Sequence, residues 1–188
     1  EGNLGCLVVE PGGETARLYT SPRRGFSRLT SEWNSHLAVH RQRLAGGEGG
    51  LCAVVHAQPP HLTYLSHIPA YQDEAYLNRR LFRWQPETVL QMPEGVGVVP
   101  FLIPGSGELA AATPRALGER QLAVWSRHGA VARADSSLKH AADLVEYAEA
   151  AARYEYLNLA AGEPSQGLSP EEVRAICRAA GIRQNIYD

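Results

Sequence analysis

The chain has 188 residues, 44% of them hydrophobic and 20% charged, with a formal net charge of −2 and a pI near 6.4. This size suits one domain, 1–188, and the composition is that of a globular protein, which excludes disorder; no apolar run approaches the ~18 residues of a membrane span. No basic block is present to neutralise a run of phosphates, so nucleic-acid binding is excluded too.

Residues 5–9 and 16–20 are short apolar runs separated by Pro11, Gly12 and Gly13, which predicts a hairpin. After Thr30, the residues Trp33, Leu37, His40 and Leu44 recur at helical spacing up to Gly46 and Gly47, predicting an amphipathic helix. Residues 51–55 form a continuous apolar run stopped by Pro59 and Pro60, as a buried strand would. Short helices are expected over 61–66 and 75–84, then strands over 88–91 and 96–103 with a turn at Pro93, Glu94 and Gly95. Thr113 followed by Pro114 predicts a helix start, with Gly118 ending it. Strands are expected over 121–126 and 130–133, and a long helix over 136–159 striped by Leu144, Val145, Ala148 and Ala151. Ser169, Pro170, Glu171 and Glu172 form a capping box opening the last helix. Interleaved strands and helices with hairpin turns predict an α/β fold: a mixed sheet layered by helices.

Cys6, Cys52 and Cys177 are an odd number, and the first two lie in apolar strand-like runs, which points to a reducing, cytoplasmic setting. The chain starts at Glu1, with neither a methionine nor a secretory leader, so a preceding segment is expected to be missing.

Seven histidines are present. His36, His40, His67 and His140 fit surface or structural roles. His56 ends a buried strand, where ligand-binding groups gather in open sheets, with Gln58 on the same side of an extended chain and His61 a little beyond. His128 ends another strand and precedes Gly129, so the two imidazoles can converge on one ion. Glu32 opens a helix just after Thr30 and Ser31, where free backbone amides favour an anion, although helix capping is the plainer role. Glu87, alone, is a loop acid.

Thr30-Ser31-Glu32, the run from Val55 to Leu62, Pro86-Glu87, the run from Pro93 to Val98, Ile103-Pro104-Gly105-Ser106, and Trp125-Ser126-Arg127-His128-Gly129 together resemble the class II aldolase/adducin family. The resemblance covers nearly the whole chain in unbroken order. It implies an αβα sandwich around a largely antiparallel sheet, a homotetramer, and a divalent metal, zinc in the family, bound by histidines. It also implies cleavage of a ketose 1-phosphate, such as rhamnulose 1-phosphate, to dihydroxyacetone phosphate and an aldehyde. His56 and His128 then match metal ligands, Glu32 the acid/base carboxylate, Glu87 a carboxylate assisting from a neighbouring subunit, and Thr30 and Ser31 the phosphate-binding region. Two departures stand out. Gln58 occupies the place of the family's second histidine ligand, leaving Gln58 or His61 to complete the site, and the family's N-terminal phosphate loop is not in this sequence. An adducin-like binding domain and a ribulose-phosphate epimerase are therefore alternatives.

Overall fold

The computed structural model describes residues 2–47, 50–118 and 120–187. Strands β1 (Gly5–Val9) and β2 (Ala16–Thr20) pair antiparallel, from Gly5 against Thr20 to Val9 against Ala16, and form a sheet of their own. Gly12 and Gly13 make the turn with φ of 97° and 76°, a region that β-carbon-bearing residues avoid. Helix α1 (Trp33–Ala45) follows, then strand β3 (Ala53–Ala57) and the short helix α2 (Pro60–Leu65). A 3-10 turn (Pro69–Gln72), α3 (Glu74–Leu81) and α4 (Pro86–Gln91) lead to β4 (Val96–Val99) and α5 (Gly107–Leu117). The chain closes with β5 (Leu122–Trp125), β6 (Gly129–Ala134), the 23-residue α6 (Leu138–Ala160) and α7 (Pro170–Ala180).

The main sheet has the order β3-β6-β5-β4, with β6 antiparallel to both β3 and β5, and β4 parallel to β5. It is mixed and mostly antiparallel, as expected. Side chains alternate across its strands. Leu122, Val124, Ala130 and Ala132 face one way and pack with Leu62 and Leu65 of α2, Leu77 and Leu81 of α3, and the Leu144, Ala148 and Ala151 stripe of α6. Ala123, Trp125 and Val131 face the other way, against Val39 of α1 and Leu109 and Leu117 of α5. Helices thus cover both faces, and strands buried on both sides read as continuous apolar runs. Among the described residues no helix is long and apolar enough to cross a membrane.

Several elements differ from expectation. Residues 88–91 are not a strand but the end of α4, which Pro86 opens after an extended Gln85. A four-residue apolar run fits one helical turn as well as a strand, and Thr88 and Val89 are buried from it. Helix α5 begins at Gly107 rather than at Thr113, capped by Ser106, whose hydroxyl accepts from Leu109 N at 3.1 Å. The Thr113 hydroxyl instead donates to Leu109 O at 2.7 Å, and Pro114 lies inside the helix. The capping box at Ser169 and Glu172 is formed. β3 reaches Ala57, so His56 lies within the strand, and β4 stops at Val99, short of the predicted 103.

One polar cluster locks α6 to α3 and its neighbours. Glu155, fully buried, accepts from Arg80 Nε at 2.6 Å, Arg83 Nη2 at 2.9 Å and Trp84 Nε1 at 2.8 Å, and from the Tyr71 hydroxyl. A buried carboxylate is tolerated when donors and opposite charge surround it in this way.

Candidate active site

Because β3 and β5 are both antiparallel to β6, and β4 is parallel to β5, all three run in one direction. Their carboxyl ends open at one edge of the sheet, where the start of α1 and the loop after β4 also arrive. Open sheets place ligands at such an edge.

Glu32 leads into α1 and is 2% exposed, yet its side chain does not cap the helix. Oε2 accepts from the Gly105 amide at 3.1 Å, and Oε1 accepts from the Ser31 hydroxyl at 3.2 Å. Gly105 has φ 74°, and a β-carbon there would lie 2.9 Å from Ser31 O, so glycine is required for this approach. Oε1 also lies 3.9 Å from His128 Nε2, near it but too far for a hydrogen bond. The plain capping role is therefore displaced by a carboxylate turned toward an imidazole.

His56, on β3, stands 2.9 Å from Ala130 O through Nδ1. A carbonyl only accepts, so the proton sits on Nδ1 and the lone pair on Nε2. Its ring lies 4.5 Å from the Trp125 ring and meets His128 edge-on at 4.9 Å. His128 is not on the strand but in the turn from β5 to β6. Its Nδ1 is buried with no hydrogen-bond partner among the described residues. Burial, then the nearby His56, pulls the His128 pKa below the usual imidazole value against the opposing pull of Glu32, which keeps the ring neutral.

Gln58 adjoins the pair: a β-carbon on Gly129 would meet His56 Cε1 at 3.1 Å and Gln58 Cγ at 3.3 Å. His61 turns elsewhere, its Nδ1 2.6 Å from Glu149 Oε1 on α6 and its ring against Tyr156. Glu149 also accepts from the amides of His61 and Leu62, closing the start of α2. Glu87 is exposed on α4 and lines a cleft of about 430 Å³ with Lys139, Asp143 and Tyr147, a setting that shares no residue with the edge site. Thr30 and Ser31 are exposed beside Glu32, and Thr30 Oγ1 accepts from Glu32 N at 3.3 Å.

His36 joins the site although it was expected to be a surface or structural residue. It lies one turn beyond Glu32 on α1, and its pKa is lowered by burial first and then by the nearby His56 and His40, with Glu32 opposing. The i,i+4 spacing of Glu32 and His36 is the signal that places both on one helix face.

Among the described residues no three His, Cys, Asp or Glu side chains gather closely enough to hold an ion by themselves. The two histidines still fit a metal, since His56 Nε2 is left with a lone pair and His128 makes no hydrogen bond through Nδ1.

A layered αβα unit with two imidazoles and a buried carboxylate at one sheet edge defines the class. The chain belongs to the class II aldolase and adducin N-terminal domain family, matched over residues 7–156. Rhamnulose-1-phosphate aldolase of Listeria monocytogenes is 29% identical over 180 residues, covering 96% of this chain and 64% of its own length. The chain therefore spans less than two thirds of that relative. A sugar-phosphate aldolase from Thermotoga maritima superposes with a TM-score of 0.66 at 29% identity, covering 80% of this chain and 62% of that one. An L-fuculose 1-phosphate aldolase, at 22% identity, shares the fold with a TM-score of 0.63 over 94% of this chain and 72% of its own.

Proposed function

We propose that this chain belongs to a metal-dependent aldolase that cleaves a ketose 1-phosphate of the rhamnulose 1-phosphate kind. The observation that carries this reading is the Glu32 carboxylate, 2% exposed, aimed at His128 rather than at its own helix. His56 and His128 would hold a divalent ion, which we assign as zinc, one of the metals that imidazole donors suit, with Gln58 beside them. Such an ion supplies Lewis acidity toward the carbonyl and hydroxyl oxygens of the substrate.

The chain's own groups do the rest. The Ala130 carbonyl holds the His56 proton on Nδ1 and so directs Nε2 outward, and the depressed pKa of His128 keeps its lone pair available. Gly105 N–H and the Ser31 hydroxyl fix the Glu32 carboxylate. In cleavage Glu32 takes the proton of the substrate's C4 hydroxyl, the C3–C4 bond breaks as that oxygen becomes the carbonyl of the departing aldehyde, and the electron pair left on C3 takes the proton back from Glu32 to give dihydroxyacetone phosphate. In the reverse direction Glu32 removes that proton. Thr30 and Ser31, at the start of α1, are assigned to the phosphate. Glu87, far from the edge site of its own chain, is assigned to assist in a neighbouring copy's site within a homotetramer.

Gln58 favours a second reading, an adducin-like binding domain without metal, because an amide is a poorer zinc ligand than imidazole. Metal analysis separates the two: the aldolase reading expects about one divalent ion per chain after dialysis against zinc, and none would favour the binding domain. Gln58→His should tighten zinc binding by roughly tenfold or more, about 1.4 kcal/mol. Competition with a chromogenic chelator measures this, and an unchanged affinity would show that another group completes the site.

A further inference from the structure

We propose that Ser66, outside the catalytic constellation, is a positioning residue for it: its buried hydroxyl pins the turn at Arg127 and thereby aims His128 at His56 and Glu32. The consequence for metal binding rests on the aldolase reading; the geometric part does not.

Trp125 pairs with Gly129 where β5 meets β6, so the loop between them is Ser126, Arg127 and His128. Arg127 has φ 62°, a left-handed conformation that a residue with a β-carbon adopts only when its surroundings impose it. Ser126 N donates to Val99 O at the end of β4 at 3.0 Å, and His128 N closes the turn on Trp125 O at 2.9 Å. The amide of Arg127, the residue with positive φ, donates to a side chain, Ser66 Oγ, at 2.7 Å. That hydroxyl in turn donates to Thr63 O at 2.7 Å, so its proton is committed and its lone pair is left for Arg127. Ser66 is 1% exposed and ends α2, whose Leu62 and Leu65 are fully buried in the main core. The rigidity of the core thus reaches the strained residue next to His128.

The imidazole of His128 has little to hold it directly. Among the described residues its Nδ1 has no hydrogen-bond partner, its Nε2 lies 3.9 Å from Glu32, and its ring meets the edge of His56 and the tilted face of Trp125 at 4.9 and 5.1 Å. Its aim therefore comes from the backbone.

The test compares Ser66→Ala and Ser66→Thr with the parent, reading the nuclear Overhauser contact between the His56 and His128 rings in metal-free protein, the cobalt(II) dissociation constant, and the melting temperature. Ser66→Ala should lose at least about half of the ring contact and bind cobalt(II) about tenfold more weakly, the scale of outer-shell support lost around a metal. Ser66→Thr, which keeps the hydroxyl, should recover both. A Ser66→Ala protein whose melting temperature falls while ring contact and cobalt affinity stay at parental values would show a structural role only and overturn the proposal. If the parent binds no cobalt(II), the aldolase reading fails and the ring contact alone decides. Should Ser66→Ala not fold, Arg127→Gly supplies the second arm. Glycine takes positive φ freely, so Ser66→Ala should become tolerated and nearly silent in that background, and equal losses in both backgrounds would overturn the coupling.

Discussion

Glu32→Gln should lose most turnover on a phosphorylated ketose, about 10²- to 10⁴-fold, the usual contribution of a general acid/base group. Its fold should survive. The amide retains an oxygen to accept from Gly105 N–H, and the Ser31 hydroxyl can turn to suit the amide's other end. Because the Glu32 side chain does not cap α1, no helix start is lost with the charge. Steady-state assay beside metal analysis and thermal melting checks this: turnover falls while zinc content and melting temperature stay near the parent's. Parental turnover in Glu32→Gln would remove Glu32 from the chemistry.

Glu155→Ala should destabilise the fold by about 3–5 kcal/mol, because it takes the carboxylate partner from Arg83, whose side chain is only 14% exposed, and leaves Arg80, 15% exposed, with Glu163 alone. For a chain of this size that is roughly a 10 °C loss in melting temperature. The same carboxylate imposes a pH dependence. Burial by itself would raise its pKa, but the bonds from Tyr71, Arg83, Trp84 and Arg80 outweigh burial and hold it below the ordinary glutamate value. A folded-state pKa depressed in this way contributes stability that is fully present above the unfolded value of about 4.3 and is lost as pH falls through the folded one. Urea denaturation between about pH 2 and 6 should show that decline in the parent and a flatter profile in Glu155→Leu. Parallel profiles would mean that the cluster does not titrate as a unit.

Much of this architecture is legible in the residues because strands buried on both faces leave unbroken apolar runs, and helices such as α6 and α7 carry both stripe and cap. Residues 86–91 are not legible. A proline followed by a few apolar residues starts a helix turn or ends a strand equally well, and burial of Thr88 and Val89 from the helix decides it. At α5 the Thr113-Pro114 pair imitates a helix start, while Ser106 is the cap that the chain uses. In the site, the pairing of His56 with His128 follows from strand ends alone, since the antiparallel register through β6 brings them to one edge. His61 could not be placed from sequence, because its partner Glu149 lies 88 positions away on α6. Ser66 is equally silent there, as nothing local links it to a turn 61 positions later.

Product formation decides whether aldol cleavage takes place at a metal held between His56 and His128. Zinc-loaded protein is incubated with rhamnulose 1-phosphate and, separately, fuculose 1-phosphate, and dihydroxyacetone phosphate is followed by its coupled reduction. Dihydroxyacetone phosphate should form from at least one of the two sugars, and its formation should stop on chelation and return when zinc is restored. Zinc-loaded, folded protein that releases none from either sugar, or that releases it equally well with the metal removed, would contradict cleavage at that metal.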